Sequence, residues 1–201
     1  DSAGSGGRSF SRAGRQPREE RGPRTADQAV YDGPELPEQY REPISLLPEA
    51  LGPYAFKISS ANEEAQQFFD QGIQLMFAFA KVDAVRSFRE SWTRDPDCAI
   101  CYWGEAWAWG SYLNGPMRPS EAPYAYAAVQ TALDLADLHA SARERAYIEA
   151  LSVRYVEHFE VDKRREQDEA YAEAMHLLSE RYPDDLDAAT LYGDALFLLE
   201  P

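Results

Sequence analysis

Residues 68–96 read FFDQGIQLMFAFAKVDAVRSFRESWTRDP. Two apolar stripes at helical spacing run through them. Phe68, Phe69, Gly72, Ile73, Leu75, Met76 and Phe79 recur at three- and four-residue steps, and Ala84, Val85, Phe88 and Trp92 do the same. Lys81-Val82-Asp83 predicts a short turn between two helices. Pro96 predicts the end of the second, because its ring disfavours helix in the residue before it. Upstream, Ser60 with Glu63 three residues later predicts a capping box at the start of the first helix. Gly72 and Ala84 are expected to sit face to face where the two helices cross.

Working outward, a third helix is predicted over about 98–112, and Asn114-Gly115-Pro116 with Pro119 breaks the chain into a loop. Further helices are predicted at roughly 121–138, 141–159 and 164–181. Tyr182-Pro183-Asp184-Asp185 makes another break, and a last helix starts near Leu186. No segment alternates with the two-residue period of a strand.

The helix–turn–helix unit repeats. The tetratricopeptide motif, about 34 residues long, wants a small residue at the helix crossing, aromatic plugs and a Pro ending its second helix. With Pro96 as that Pro, Phe68, Gly72, Ala84, Phe88 and Ser91 occupy the aromatic and small positions. Tyr102, Ala106 and Trp109 follow in the next repeat, with Ala125, Val129 and Ala132 in its second helix after a lengthened loop. Pro183 and Gly193 anchor a later repeat, and 140–183 is degenerate. The expected fold is all-α, a TPR-like α-solenoid of helix–turn–helix repeats with an extended N-terminal arm.

The stretches EAQQFFDQGIQLMFAF (64–79), AVRSFRESWTRDPDCAICYWGEAWA (84–108) and ARERAYIEAL (142–151) resemble a family of bacterial tetratricopeptide proteins of poorly defined function. The resemblance covers about 54–200. It implies helical repeats and a binding role, and carries over no catalytic residue. Members of that family continue into further repeats that contain His. The resemblance thus implies that a chain stopping at Leu199-Glu200-Pro201 is a fragment or a shortened relative.

Charge and composition divide the chain. Residues 1–26 hold six Arg against three acids, +3, in a protein of net charge −15, so the remainder carries −18. We expect a flexible basic arm at 1–30, an extended Pro-rich segment at 31–59 packing on the body, and repeats over 60–201, the last incomplete. Tyr31, Leu36, Tyr40, Ile44, Leu46 and Leu47 are too apolar for a solvated linker. So acidic a body repels phosphate backbones, so nucleic acid is not an expected partner. No apolar run approaches the 18 residues of a membrane span. Residue 1 is Asp, which fits a processed N-terminus and an extracytoplasmic (secreted or periplasmic) location after signal-peptide removal.

Candidate sites are few. Cys98 and Cys101 lack the following His that haem attachment needs, a strand leading into the helix, and further ligands for zinc. They read as two packed small residues or as a local disulfide. His139, His158 and His176 are single, and the acidic clusters lack the Gly turn of a calcium loop. We expect no metal, no cofactor and no catalytic set, and hence no enzyme. In a tetratricopeptide solenoid the first helix of each repeat lines the concave face, which places Phe69, Ile73, Met76, Phe77, Trp103 and Trp107 in a groove for a protein or peptide partner. The alternative filling is residues 31–60 of the same chain.

Two functional expectations follow. One is a scaffold that holds a partner segment in the groove. The other is a structural subunit that self-assembles, as an oligomer or filament, through its N-terminal arm. Light scattering on the whole chain and on one lacking residues 1–53 separates them. A chain that assembles through the arm becomes monomeric or insoluble on truncation. Two stable monomers at high concentration exclude the assembly.

Overall fold

Seven α-helices succeed one another among the described residues, 35–200 of the computed structural model. They are α1 (Glu63–Phe77), α2 (Lys81–Arg94), α3 (Ala99–Trp109), α4 (Ala122–His139), α5 (Ala142–Ser152), α6 (Arg164–Arg181) and α7 (Leu186–Phe197). Short 3₁₀ turns sit at Glu38–Tyr40 and Val161–Lys163. The described residues contain no strand, only an isolated bridge between Tyr112 and Gly115. The described residues are thus all-helical in class. The basic arm expected at 1–30, and Tyr31, lie outside the described residues.

Local chemistry corrects several boundaries. α1 is capped by Asn62, whose side chain accepts from the amides of Glu64 (3.0 Å) and Ala65 (3.1 Å). The Ser60 hydroxyl is used elsewhere: it donates to Asp95 and accepts from the Asn62 amide. The turn after α1 is residues 78–80, not 81–83. The Ala80 amide reaches Leu75 O and the Phe79 amide reaches Met76 O, with Phe79 at φ 62°. This is a Schellman ending with Phe where Gly is usual. α3 stops at Trp109 because Gly110 is extended. α5 ends at Ser152, well short of 159, and the chain turns to bury Arg154 and Tyr155. Its start has a full capping box, Ser141 with Glu144.

Each helix packs on its sequence neighbours, and α3 also packs on α1 and α5. α3 is the centre: all eleven of its residues are buried. What lets α1, α2 and α3 approach is a missing side chain on each side of one ring. A Cβ on Gly72 would lie 2.7 Å from the Phe88 ring, and one on Gly104 would lie closer still. Gly72 thus receives the Phe88 ring of α2, and Gly104 on α3 is a partner of that ring that sequence spacing missed.

An alanine in an unstrained helix interior would stabilise the protein by up to about 1 kcal/mol over Gly. Here overpacking opposes that gain, so we expect Gly104→Ala to cost roughly 1–3 kcal/mol in urea unfolding. Adding Phe88→Leu should recover part of the loss. A Gly104→Ala chain as stable as the parent would contradict the clamp.

Candidate functional site

Five of the six residues expected to line an open groove are buried. Phe69 and Trp103 are fully so, Ile73, Met76 and Trp107 nearly so, and only Phe77, at 48 % exposure, reaches solvent. Four of them, Phe69, Phe77, Trp103 and Trp107, meet between α1 and α3. Trp103 stacks on Trp107 (5.8 Å) and on Phe69 (6.4 Å), and Phe77 meets Trp107 edge-on (5.8 Å). The face is covered by the same chain. Phe56 lies 5.4 Å from Phe69, 6.0 Å from Trp103 and 5.3 Å from Tyr147 of α5, with the Arg143 guanidinium 4.3 Å above its ring. An open groove is therefore replaced by a cage of four aromatic rings closed from within.

The cover is held by its main chain. On α1, Gln71 accepts from the Leu47 amide (2.8 Å) and donates to Ser45 O (3.1 Å). Gln74 donates to Tyr54 O (3.2 Å). Asp70 accepts from the Phe56 amide (2.8 Å), and Gln66 donates to Phe56 O (2.9 Å) while accepting from the Ile58 amide (3.0 Å). On α5, Glu144 accepts from the Ser59 amide (2.6 Å) and the Ser59 hydroxyl. On α2, Arg86 donates to Glu42 O and Pro43 O, both at 2.7 Å. Frequent Pro leaves this segment without helix or ladder bonds, and side chains of the body supply what its backbone lacks. The row Gln66, Asp70, Gln71 and Gln74 was missed from sequence. Its signal is a polar line at i, i+4, i+5 and i+8 beside an apolar stripe.

A second polar set surrounds α3. Glu105, fully buried, accepts from Arg89 (2.8 Å), Trp92 Nε1 (2.7 Å) and Trp109 Nε1 (3.1 Å). The last carbonyls of α3 are buried too, and Lys81 Nζ caps Trp109 O (2.9 Å) and Gly110 O (3.2 Å) while pairing with Glu121 (3.0 Å). Burial pulls the Lys81 ammonium below its ordinary value, against the opposing pull of Glu121.

Beyond Gly110 lies a cluster that sequence reading did not find. Arg154, with no exposed side-chain surface, donates through Nε to Asp168 (3.0 Å). Arg164 donates to both oxygens of the same carboxylate (2.8 and 2.7 Å). Asp168 is held below the usual carboxylate range by these cations, which outweigh its burial. Arg154 Nη1 and Nη2 and the hydroxyls of Tyr155 and Tyr171 are buried without a hydrogen bond. The Arg154 guanidinium instead lies over the Tyr171 ring, 4.8 Å from its centroid. Burial pushes both phenols up, and Arg154 only partly offsets it.

Cys98 and Cys101 form a disulfide at the first turn of α3, and both are buried. Among the described residues no three His, Cys, Asp or Glu are grouped to hold a metal ion, and no helix is long and apolar enough to cross a membrane.

Compared with models of protein families, with curated proteins and with solved structures, the chain matches none. The grip on the segment makes a measurable pH signature. Burial, working against hydrogen bonds from the Phe56 amide and Gln66, raises the Asp70 carboxyl to about 6. A raised carboxyl favours the folded state when protonated. Its contribution is complete below the unfolded value and is lost as pH rises through about 6. Between pH 7 and pH 4.5 we expect the parent to gain stability relative to Asp70→Asn in urea titrations. Parallel curves for the two chains would exclude the role given to Asp70.

Proposed function

We propose that the chain is a protein-interaction module of the tetratricopeptide kind. In this reading α1–α2, α3–α4 and α5–α6 are stacked hairpins, and α1, α3 and α5 present one face to an extended segment. Small residues at the crossings and the contacts of α3 with both α1 and α5 support the stacking. A binding role, not a catalytic one, fits a face whose Gln66, Asp70, Gln71 and Gln74 are spent on peptide groups.

One observation carries the reading: the face recognises main chain. Gln66, Asp70, Gln71 and Gln74 bond amides and carbonyls of residues 45–58. Only Phe56 and Ile58 are read by deep side-chain burial. That is the logic of peptide recognition, backbone bonds for affinity and a few pockets for specificity. The bound segment is tethered to α1 by residues 60–62 alone, so its effective concentration at the face is on the order of millimolar or more. A partner segment therefore competes only where this internal grip is loosened. The same tether disfavours exchange of the segment between copies, which ranks self-assembly second.

The test uses Phe56→Ala in the full chain and a labelled peptide of residues 45–60. Loosened internally, the variant should bind the peptide at least tenfold more tightly than the parent does, and a peptide that itself carries Phe56→Ala should bind neither. A variant that melts cooperatively yet binds no better than the parent refutes the interaction face. Concentration-dependent dimers of the parent that vanish in the variant would move the reading to assembly.

A further inference from the structure

The interaction reading uses the face of α1, α3 and α5 and leaves unexplained the cations gathered beyond the C-terminal end of α3. The protein as a whole carries −15. Yet here Lys81, Arg154 and Arg164 share only Glu121 and Asp168 as bonded carboxylates. Lys81 is committed to Glu121 and to the α3 carbonyls, whose partial negative charge it caps. That leaves two guanidinium groups on the one carboxylate of Asp168. Asp194 of α7 is near enough for Arg154 to offset part of its burial, but it makes no hydrogen bond to the Arg154 Nη groups.

The shortage is also one of acceptors. Arg154 Nη1 and Nη2, Tyr155 Oη and Tyr171 Oη have none, and Arg164 Nη1 has only the Met117 sulfur at 3.6 Å. Buried donors of a charged group are costly to leave unmet, and the Tyr171 ring 4.8 Å from the Arg154 guanidinium carbon offsets this only in part, so an added acceptor would be favourable here. Arg154 and Tyr155 are packed onto Gly110, where any side chain would collide with the Tyr155 hydroxyl.

The cluster opens onto a cleft of about 430 Å³. Its floor is Arg164 and Asp168, and its walls are the 111–116 loop and the end of α7. Ser111 fastens the loop by accepting from the Met117 amide (2.9 Å), and Tyr112 and Gly115 pair across its turn. The rim carries two exposed apolar side chains, Leu113 (47 %) and Phe197 (53 %), beside the polar Asn114 and the acidic Glu200.

We propose that this cleft binds an apolar monocarboxylate. Its carboxylate pairs with Arg164, freeing Asp168 to serve the unmet Nη donors of Arg154, and its apolar body lies on Tyr112, Leu113 and Phe197. Each guanidinium then has its own carboxylate. A bidentate Arg–carboxylate pair in such surroundings is both strong and selective for a planar anion. The chemistry is shared by a free apolar acid and by the C-terminal carboxylate of a peptide.

Isothermal titration of the full chain with octanoate, N-acetylphenylalanine and N-acetylphenylalaninamide tests it. At least one of the two acids should bind and raise the melting temperature, and the amide, which lacks the charge, should not bind. Octanoate alone indicates a free acid, and N-acetylphenylalanine alone indicates a peptide terminus. Arg164→Gln should weaken binding at least tenfold. Leu113→Asp, on the exposed rim, should do the same by repulsion and leaves the buried cluster whole should Arg164→Gln fail to fold. Failure of both acids to bind at millimolar concentration, equal binding of acid and amide, or undiminished binding by either folded variant would overturn the site. None of these results bears on the peptide titration of Phe56→Ala, which probes a different face.

Discussion

A helix with no surface governs this structure. Every residue of α3 is buried, so its polar groups turn to the protein rather than to water, because an unmet one is costly; the indole N–H of Trp103 is an exception, buried without a hydrogen bond. The consequences reach two neighbouring helices, α2 and α4. Glu105 collects Arg89 and Trp92 from α2 and Trp109 from its own helix. The carbonyls at the end of α3 draw in Lys81 from the start of α2, and Lys81 draws in Glu121 at the start of α4. Removing one member of such a set leaves its partners buried and unpaired, which is why these contacts specify the packing rather than merely add to it.

The remaining faces of α3 are closed by shape. Gly104 and Gly72 admit the Phe88 ring from α2, and Trp103 joins Phe69, Tyr147 and Phe56 in one aromatic cage. Phe56 comes from a segment that has no regular structure of its own, so its position depends on α1, α2 and α5 supplying hydrogen bonds to its backbone. In the proposed reading, fold and binding chemistry are one arrangement: the side chains that dock residues 45–59 are those that would receive an extended partner. The acidic body and its internal cations have a similar relation. Negative charge is spread over the exposed helix faces, whereas the cations near the α3 end are drawn inside by carbonyls and by Asp168.

Much of this was legible in the residues. Helical period, Pro96, the 114–116 break and the Pro183 break located the helices, since periodicity and Pro act through neighbours a few residues away. The expectation that Phe69, Ile73, Met76, Phe77, Trp103 and Trp107 share a face came from the tetratricopeptide motif, and all but Phe77 are buried. Boundaries slipped where a cap or a turn had competitors: Asn62 outbid Ser60, whose hydroxyl is taken by Asp95 across the crossing, and Phe79 took a left-handed conformation that its residue type disfavours.

What only the tertiary structure decided is everything that joins residues far apart in the chain. Sequence spacing put the aromatic residues on a face but could not say whether that face stayed open, because its cover is an aperiodic segment whose place is set by Gln66, Asp70, Gln71 and Gln74. Nor could it show Gly104 opposite Gly72, the disulfide state of Cys98 and Cys101, or the meeting of Arg154, Arg164, Tyr155 and Tyr171 around one carboxylate. Local pattern determines which helices form and which side they bury. The sharing of one buried acid between two cations, and the filling of a face by a distant ring, exist only once the helices have packed.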